Sequence, residues 1–357
     1  MTLTPLRRAL GSLGLTLALG GMLPAASAAD LPDVRILATG GTIAGAAAKA
    51  SDANDYKAGS IGVATLIEAV PELTSVADVS GEQIANIPSN AVDTALLLKI
   101  AKRVNELLAD PKVDGVVITH GTDSIEDTAF FLNLTVKSEK PVVLTGAMRP
   151  ATAISADGPM NLLEAVQAAV SPKMKGAGVT IVMNDYIAAA RETTKTNKRN
   201  VATFRSTEFG YLGTMVEGEP VLYRKSARRH TTASEFDVSN LTDLPRVDIV
   251  YAYAGSDGRM SEAAVDIGAR GLVAAAMGNA SVSPEQEKSY AAIMKKGIPV
   301  VMSGRVPEGD VILKSGAKKL GYVEAGNLPP NKARLLLQLA LTTTDDPEEI
   351  RRIFSEY

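Results

Sequence analysis

Three short runs in this chain bring hydroxyls, a carboxylate and an amine into patterns that can do chemistry. The first is Ala38-Thr39-Gly40-Gly41-Thr42-Ile43-Ala44-Gly45. Paired glycines let the backbone turn sharply and approach a ligand, with N–H groups free to bind an oxyanion. Thr42 stands at the centre of that turn with its hydroxyl available, although a Gly-Gly-Thr run is equally ordinary turn chemistry. The run has neither the G-x-G-x-x-G spacing nor the Gly-Lys-Ser/Thr ending of nucleotide loops. The second run is Ile118-Thr119-His120-Gly121-Thr122-Asp123-Ser124. Here a hydroxyl and a carboxylate are adjacent where a helix should begin, and capping is the simpler explanation for this run taken alone. His120 reads as a structural histidine at a strand end. The third run, Arg191-Glu192-Thr193-Thr194-Lys195-Thr196-Asn197, is either a solvated loop or the carrier of a buried lysine. A buried lysine can lose its proton and act as a base toward a hydroxyl. A Thr–Lys–Asp group would then activate a nucleophile or a water without histidine.

Composition makes such histidine-free chemistry more plausible. There is no cysteine, which excludes disulfides, thiolate nucleophiles, iron–sulfur clusters and thiolate zinc sites. The only histidines are His120 and His230, so a metal site built from several histidines is not expected. Lys+Arg 37 against Asp+Glu 40 leaves no basic surplus for nucleic acid or an acidic membrane surface. Trp is absent and aromatics are 4%, leaving few platforms for stacking sugars or bases.

The elements that must position these runs follow from hydrophobic periodicity. Val34–Thr39, Val116–Thr119, Val142–Thr145 and Val179–Met183 read as buried strands, each short and rich in β-branched residues. Helical patterns at Ala95–Leu108, Ser124–Leu134 and Met160–Val170 lie between them. Beyond a loop-rich region, 185–245, a second series has strands at Val247–Tyr253, Gly271–Met277 and Ile298–Met302. Its helices are expected at 260–269, 284–296, 331–342 and 347–356. The expectation is an α/β protein with a larger N-terminal parallel-sheet domain and a smaller C-terminal α/β domain. Residues 29–236 form the first domain, 237–246 a linker rich in Ser, Asn, Asp and Pro, and 247–357 the second. Residues 1–28 read as a secretory signal, with Arg7-Arg8, an uncharged apolar stretch Ala9–Leu23 and an A-x-A site at Ala26-Ser27-Ala28. The apolar stretch is short for a membrane span. The mature protein is therefore expected to be secreted and periplasmic.

In open parallel sheets ligands bind at the carboxyl ends of the strands, which is where the first two runs fall. With Thr194-Lys195-Thr196-Asn197 they occur in an order that resembles the bacterial type II L-asparaginases, the exported amidohydrolases that include the glutaminase-asparaginases. Gly146-Ala147-Met148-Arg149-Pro150, Ser155-Ala156-Asp157-Gly158-Pro159, Val201-Ala202-Thr203-Phe204 and Arg305-Val306-Pro307 extend the resemblance over the mature chain. It implies Thr42 as nucleophile on a loop that runs to about Gly59 and holds its partner Tyr56. It implies a second group of Thr122, Asp123 and Lys195. It further implies substrate contacts from Gly41, Ser89, Asn90, Gly121, Thr122, Asp123 and the backbone of Ala147, with Asp123 on the α-amino group. No cofactor and no metal are implied. The substrates would be L-asparagine and L-glutamine, and the assembly a homotetramer whose sites are completed by a neighbouring subunit.

Several positions depart from the family pattern. Ser124 stands where many relatives have Thr, and Asn90 where many have Gln. Ser281, in Gly278-Asn279-Ala280-Ser281, stands near the trans-subunit site where strict asparaginases often carry Asn and glutaminase-active relatives tend to carry Ser. The family's trans-subunit acid has no match in the 308–318 stretch, where Asp310 is only a candidate. A periplasmic amino-acid-binding protein would share the signal and the two α/β domains. It would not need the reactive Thr pair.

Overall fold

The first apolar run folds as expected. The computed structural model describes residues 31–51 and 55–357; the proposed signal, 1–28, lies outside the described residues. Strand β1 (Asp33–Gly40) is followed by a small antiparallel ladder of β2 (Ala46–Ala47) and β3 (Tyr56–Lys57). Then come α1 (Val63–Glu68), β4 (Asp78–Ile87), α2 (Thr94–Ala109) and β5 (Val113–Thr119). Next are α3 (Ile125–Thr135), β6 (Val142–Thr145), α4 (Gly158–Val170) and β7 (Val179–Met183). β6 and β7 are buried throughout, and β5 at all but one residue, because helices cover both faces.

The region read as loop-rich contains five more short strands. They are β8 (Tyr186–Ala189), β9 (Thr194–Lys195), β10 (Phe204–Arg205), β11 (Gly213–Val216) and β12 (Glu219–Leu222). Two tight hairpins explain β8, β11 and β12, while β9 and β10 pair with each other in a separate sheet. Asn184-Asp185 joins β7 to β8 with φ of 53° and 66°, and Glu217-Gly218 joins β11 to β12 with φ of 51° and 82°. Two successive positive φ values give the turn twist that matches paired strands. The large sheet is therefore mixed. Its order is β12-β11-β8-β7-β6-β5-β1-β4, with β4, β1, β5, β6 and β7 parallel and β8, β11 and β12 antiparallel at one edge.

The smaller sheet is β13 (Val247–Tyr251), β14 (Gly271–Ala276), β15 (Val300–Gly304) and β16 (Val323–Glu324), in that order and all parallel. Its helices are α5 (Arg259–Asp266), α6 (Pro284–Met294), α7 (Ser315–Lys319), α8 (Pro330–Ala340) and α9 (Pro347–Glu356). The segment 237–246 between the sheets carries Val238 and Leu244, and both are buried. One core cluster holds Phe130 and Phe131 of α3 with Leu336 of α8, Ile353 of α9 and Val273 and Val301 of the smaller sheet. Helix α8 thus ties the second sheet to the helices of the first. The parallel strands β1, β4, β5 and β6 all deliver their C-terminal loops to one edge.

Candidate active site

The loop after β1 is built by its glycines. Gly40 and Gly41 have φ of 103° and 80°, which favour glycine. A Cβ on Gly41 would lie 2.3 Å from the Cα of Gly121, so the loops after β1 and β5 meet backbone to backbone. Thr42 then opens a single turn of 3-10 helix and is 7% exposed. Its Oγ1 lies 2.6 Å from the hydroxyl of Tyr56. The Tyr56 ring reaches this place because Gly45 has no side chain, since a Cβ there would sit 2.7 Å from the ring.

The loop after β5 supplies the second group. Lys195 Nζ donates to Thr122 Oγ1 at 3.0 Å and to Asp123 Oδ1 at 2.7 Å. Lys195 comes from the β9–β10 hairpin, and its backbone N–H donates to Glu126 Oε2 at 2.8 Å. Ser89, in the loop after β4, is buried; its Oγ accepts the Asp123 backbone N–H at 3.1 Å. The capping reading does not hold for this run. Ser124 is the N-cap residue of α3, yet its side chain makes no cap bond and donates instead to the Ser89 carbonyl at 2.7 Å.

His120 is structural in the sense the sequence suggested. It is fully buried, with Nδ1 2.8 Å from the Gly121 carbonyl and Nε2 3.0 Å from Thr128 Oγ1. A carbonyl only accepts, so Nδ1 carries the proton and the Thr128 hydroxyl donates to Nε2. Burial pushes the imidazole pKa down to about 4, against the smaller opposing pull of the Gly121 carbonyl.

A cleft of about 350 Å³ gathers Gly41, Thr42, Tyr56, Ser89, Gly121, Thr122, Asp123 and Lys195. Three other expected residues do not line it. Asn90 is exposed beside Ser89, Ala147 is fully buried behind the β6 loop, and Ser281 is exposed on the smaller sheet's side. Ser281 does not cap α6: Ser283 does, accepting from Gln286 N at 3.1 Å. The backbone of Ser281 pairs with Met277 instead. Sequence reasoning missed Arg149, Lys198 and Arg199, which also line the cleft. With Lys195 they set four cations against the single carboxylate of Asp123, an environment suited to a ligand that carries a carboxylate. Their signal was present in Gly146–Pro150 and in Lys198-Arg199, beside the runs already singled out. Among the described residues no three His, Asp or Glu side chains are placed to hold a metal ion.

Comparison with known proteins adds the family. Residues 33–228 match the model "Asparaginase, N-terminal" and residues 246–354 match "Glutaminase/Asparaginase C-terminal domain". The chain is 51% identical to L-asparaginase 2 of Bacillus subtilis, over 92% of this chain and 87% of that one. It is 45% identical to a protein of Haemophilus influenzae named probable L-asparaginase periplasmic, over 93% and 95%. It is 42% identical to a glutaminase-asparaginase of Pseudomonas fluorescens, over 92% and 91%. Among solved structures, that of a probable cytoplasmic L-asparaginase from Campylobacter jejuni superposes with a TM-score of 0.90. It is 46% identical and covers 91% of this chain and all of its own.

Proposed function

This chain belongs to the asparaginase family and is an enzyme acting on amides; on that premise we propose that it hydrolyses the side-chain amide of L-asparagine, and of L-glutamine, with Thr42 as the nucleophile. The observation that carries this reading is the pair of activated threonines in one cleft, Thr42 against Tyr56 and Thr122 against Lys195. Thr42 Oγ1 attacks the amide carbon and its proton leaves toward Tyr56. Backbone N–H groups of Thr42 and Thr122 hold the oxyanion of the tetrahedral intermediate, the Gly41 N–H being given to the Ile87 carbonyl at 3.1 Å. Relayed through the Tyr56 hydroxyl, that proton reaches the amide nitrogen, so ammonia departs as the C–N bond breaks and an ester to Thr42 remains. A water steered by Thr122, Asp123 and Lys195 then cleaves that ester to give the free acid and restore the threonine. At the other end of the substrate, Asp123 accepts the α-ammonium group and Ser89 donates to the α-carboxylate. No metal or cofactor has a role in this scheme.

Two wider features belong to the same proposal. The assembly is a homotetramer in which Ser281 reaches a neighbouring subunit's cleft. Exposed Ile249, Tyr251, Tyr253, Met260 and Ile267 surround a groove of about 480 Å³ on β13 and α5 and support such an apolar contact. The mature enzyme starts near residue 29 and works in the periplasm. The signal-like pattern and the relative named periplasmic support export.

The decisive experiment is ammonia release from L-asparagine by wild type and by Thr42→Val, which keeps the β-branched shape and removes the hydroxyl. We expect a folded variant with turnover lower by about 10⁴-fold or more. Near-wild-type hydrolysis would remove Thr42 from the nucleophile role, and no ammonia from either protein would favour a binding function. N-terminal sequencing of periplasmic and cytoplasmic fractions tests export.

A further inference from the structure

The lysine of the second threonine group is held by something outside the cleft. Lys195 sits on a two-residue strand at the end of a tight turn, in which the N–H groups of Glu192 and Thr193 both donate to the Ala189 carbonyl at 3.1 Å. So short a strand has little pairing of its own to fix the height of its side chain. A second lysine lies directly beneath the turn. Lys332, in the first helical turn of α8, is 1% exposed. Its ammonium donates to the carbonyls of Ala190 at 2.9 Å, Arg191 at 3.0 Å and Thr193 at 2.5 Å.

That is an unusual use of a lysine. An ammonium has three donors, and here all three go to backbone oxygens of one turn, with the Phe130 ring 5.8 Å away on another side. Among the described residues no carboxylate forms an ion pair with it. Burial lowers its pKa to about 8, so it remains an ammonium at neutral pH. The preceding residue acts on the same target from the other side. Asn331 Nδ2 donates to Asp127 Oδ1 at 2.7 Å and to Glu126 Oε1 at 3.3 Å, and the other Glu126 oxygen accepts the Lys195 backbone N–H. Two consecutive residues of α8 therefore grip the 190–195 segment through its carbonyls and through its N–H partner.

We infer that Lys332 is a positioning residue: its buried ammonium clamps the 190–193 carbonyls so that Lys195 meets Thr122 and Asp123 at hydrogen-bond distance. The inference rests on the proposed role of Lys195 in tuning Thr122. It makes α8, which follows the smaller sheet in the chain, part of the machinery that sets the rate. A displacement of about 1 Å in a catalytic group can cost about 100-fold in rate. The loss should fall on turnover more than on substrate capture, because Ser89 lies in the loop after β4 and holds the Asp123 backbone N–H, and neither residue contacts Lys332.

The test is a double-mutant cycle on the full chain with Lys332→Met, Lys195→Met and both together, measuring kcat and KM for L-asparagine with a melting curve for each protein. Lys332→Met is expected to lower kcat by about 100-fold with KM changed by less than about 3-fold. In the Lys195→Met background the same change should cost less than about 3-fold, because nothing is left to position. Additive losses, or wild-type turnover in Lys332→Met, would overturn the inference. Near-wild-type turnover in Lys195→Met would instead overturn the underlying role of Lys195, and the positioning role with it. Should Lys332→Met not fold, Lys332→Gln, which keeps two N–H donors, is put through the same cycle. Loss of a cooperative melt in both would make Lys332 purely structural and refute the positioning role.

Discussion

His120 should impose an acid limb on stability, and His120→Asn should remove it. The imidazole is fully buried and neutral, with a proton on Nδ1 for the Gly121 carbonyl and a lone pair on Nε2 for the Thr128 hydroxyl. Protonation would bring a charge into the core and put a proton where Nε2 now accepts. Burial accordingly holds the pKa near 4, against 6.5 for an ordinary histidine. Between those values the unfolded chain takes a proton that the folded chain refuses. Stability is therefore intact above about pH 6.5 and is lost as pH falls toward about 4. At about 1.4 kcal/mol per pH unit the full gap amounts to about 3 kcal/mol. Asp127 and Glu164 act in the opposite sense. Burial raises their carboxyls to about 6 and about 7, so they favour the fold as pH falls. They are common to both proteins and cancel in the comparison. Asn at 120 keeps a short donor for the Gly121 carbonyl and does not titrate. Urea unfolding at about pH 7.5 and about pH 4, at one fixed protein concentration, should show wild type losing about 3 kcal/mol more than the variant. Equal losses in the two proteins would refute the assignment of His120 as a buried neutral group.

Two further outcomes follow from the cleft. Tyr56→Phe removes the hydroxyl 2.6 Å from Thr42 Oγ1 and should lower kcat by about 100-fold or more with little change in KM; an unchanged kcat would dismiss Tyr56 as proton partner. Ser281→Asn should lower glutamine turnover more than asparagine turnover, since one methylene is discriminated by only about 1–3 kcal/mol and the contacts at the α-carbon end set the balance. An unchanged ratio of the two activities would take Ser281 out of substrate choice.

The elements legible in the sequence were those with a strong period. β1, β5, β6 and β7 are compact β-branched runs because both faces of the sheet are covered, and burial of that kind leaves a mostly apolar string. β4 lacks that signature. It is the sheet's outer parallel strand, Asp-Val-Ser-Gly-Glu-Gln-Ile-Ala-Asn-Ile, largely open to solvent, and its polar residues hide a strand that delivers Ser89. The hairpins of 185–222 were equally obscure, because their turns use Asn-Asp and Glu-Gly rather than the commoner Asn-Gly. Within the cleft, the Gly-Gly-Thr and His-Gly-Thr-Asp runs were readable because glycine and hydroxyl spacing is local. Lys332 was not. Nothing in Pro-Asn-Lys-Ala-Arg separates a lysine that points into three carbonyls from one that points into water, since its partners lie about 140 positions away in the chain.

A last comparison concerns how polar residues at helix starts are used. Among the described α-helices, five have Asp or Ser as N-cap: α2, α3, α4, α6 and α9. Asp93, Ser283 and Asp346 use their side chains to cap, each accepting a backbone N–H of its own helix. The two exceptions are the helices that follow the cleft loops. Ser124, before α3, turns to the Ser89 carbonyl. Asp157, before α4, accepts the backbone N–H groups of Met148 and Arg149 at 2.9 Å each, bracing the loop after β6. A missing cap costs about 1 kcal/mol. Capping is local and available to each of these side chains, so its absence at these two starts alone has to be offset by what they do instead. Both hold loops that border the cleft. The same logic separates Thr122 and Asp123 from ordinary turn residues. Their side chains are committed to Lys195, and with Ser124 given to the Ser89 carbonyl the N-terminus of α3 goes without a side-chain cap.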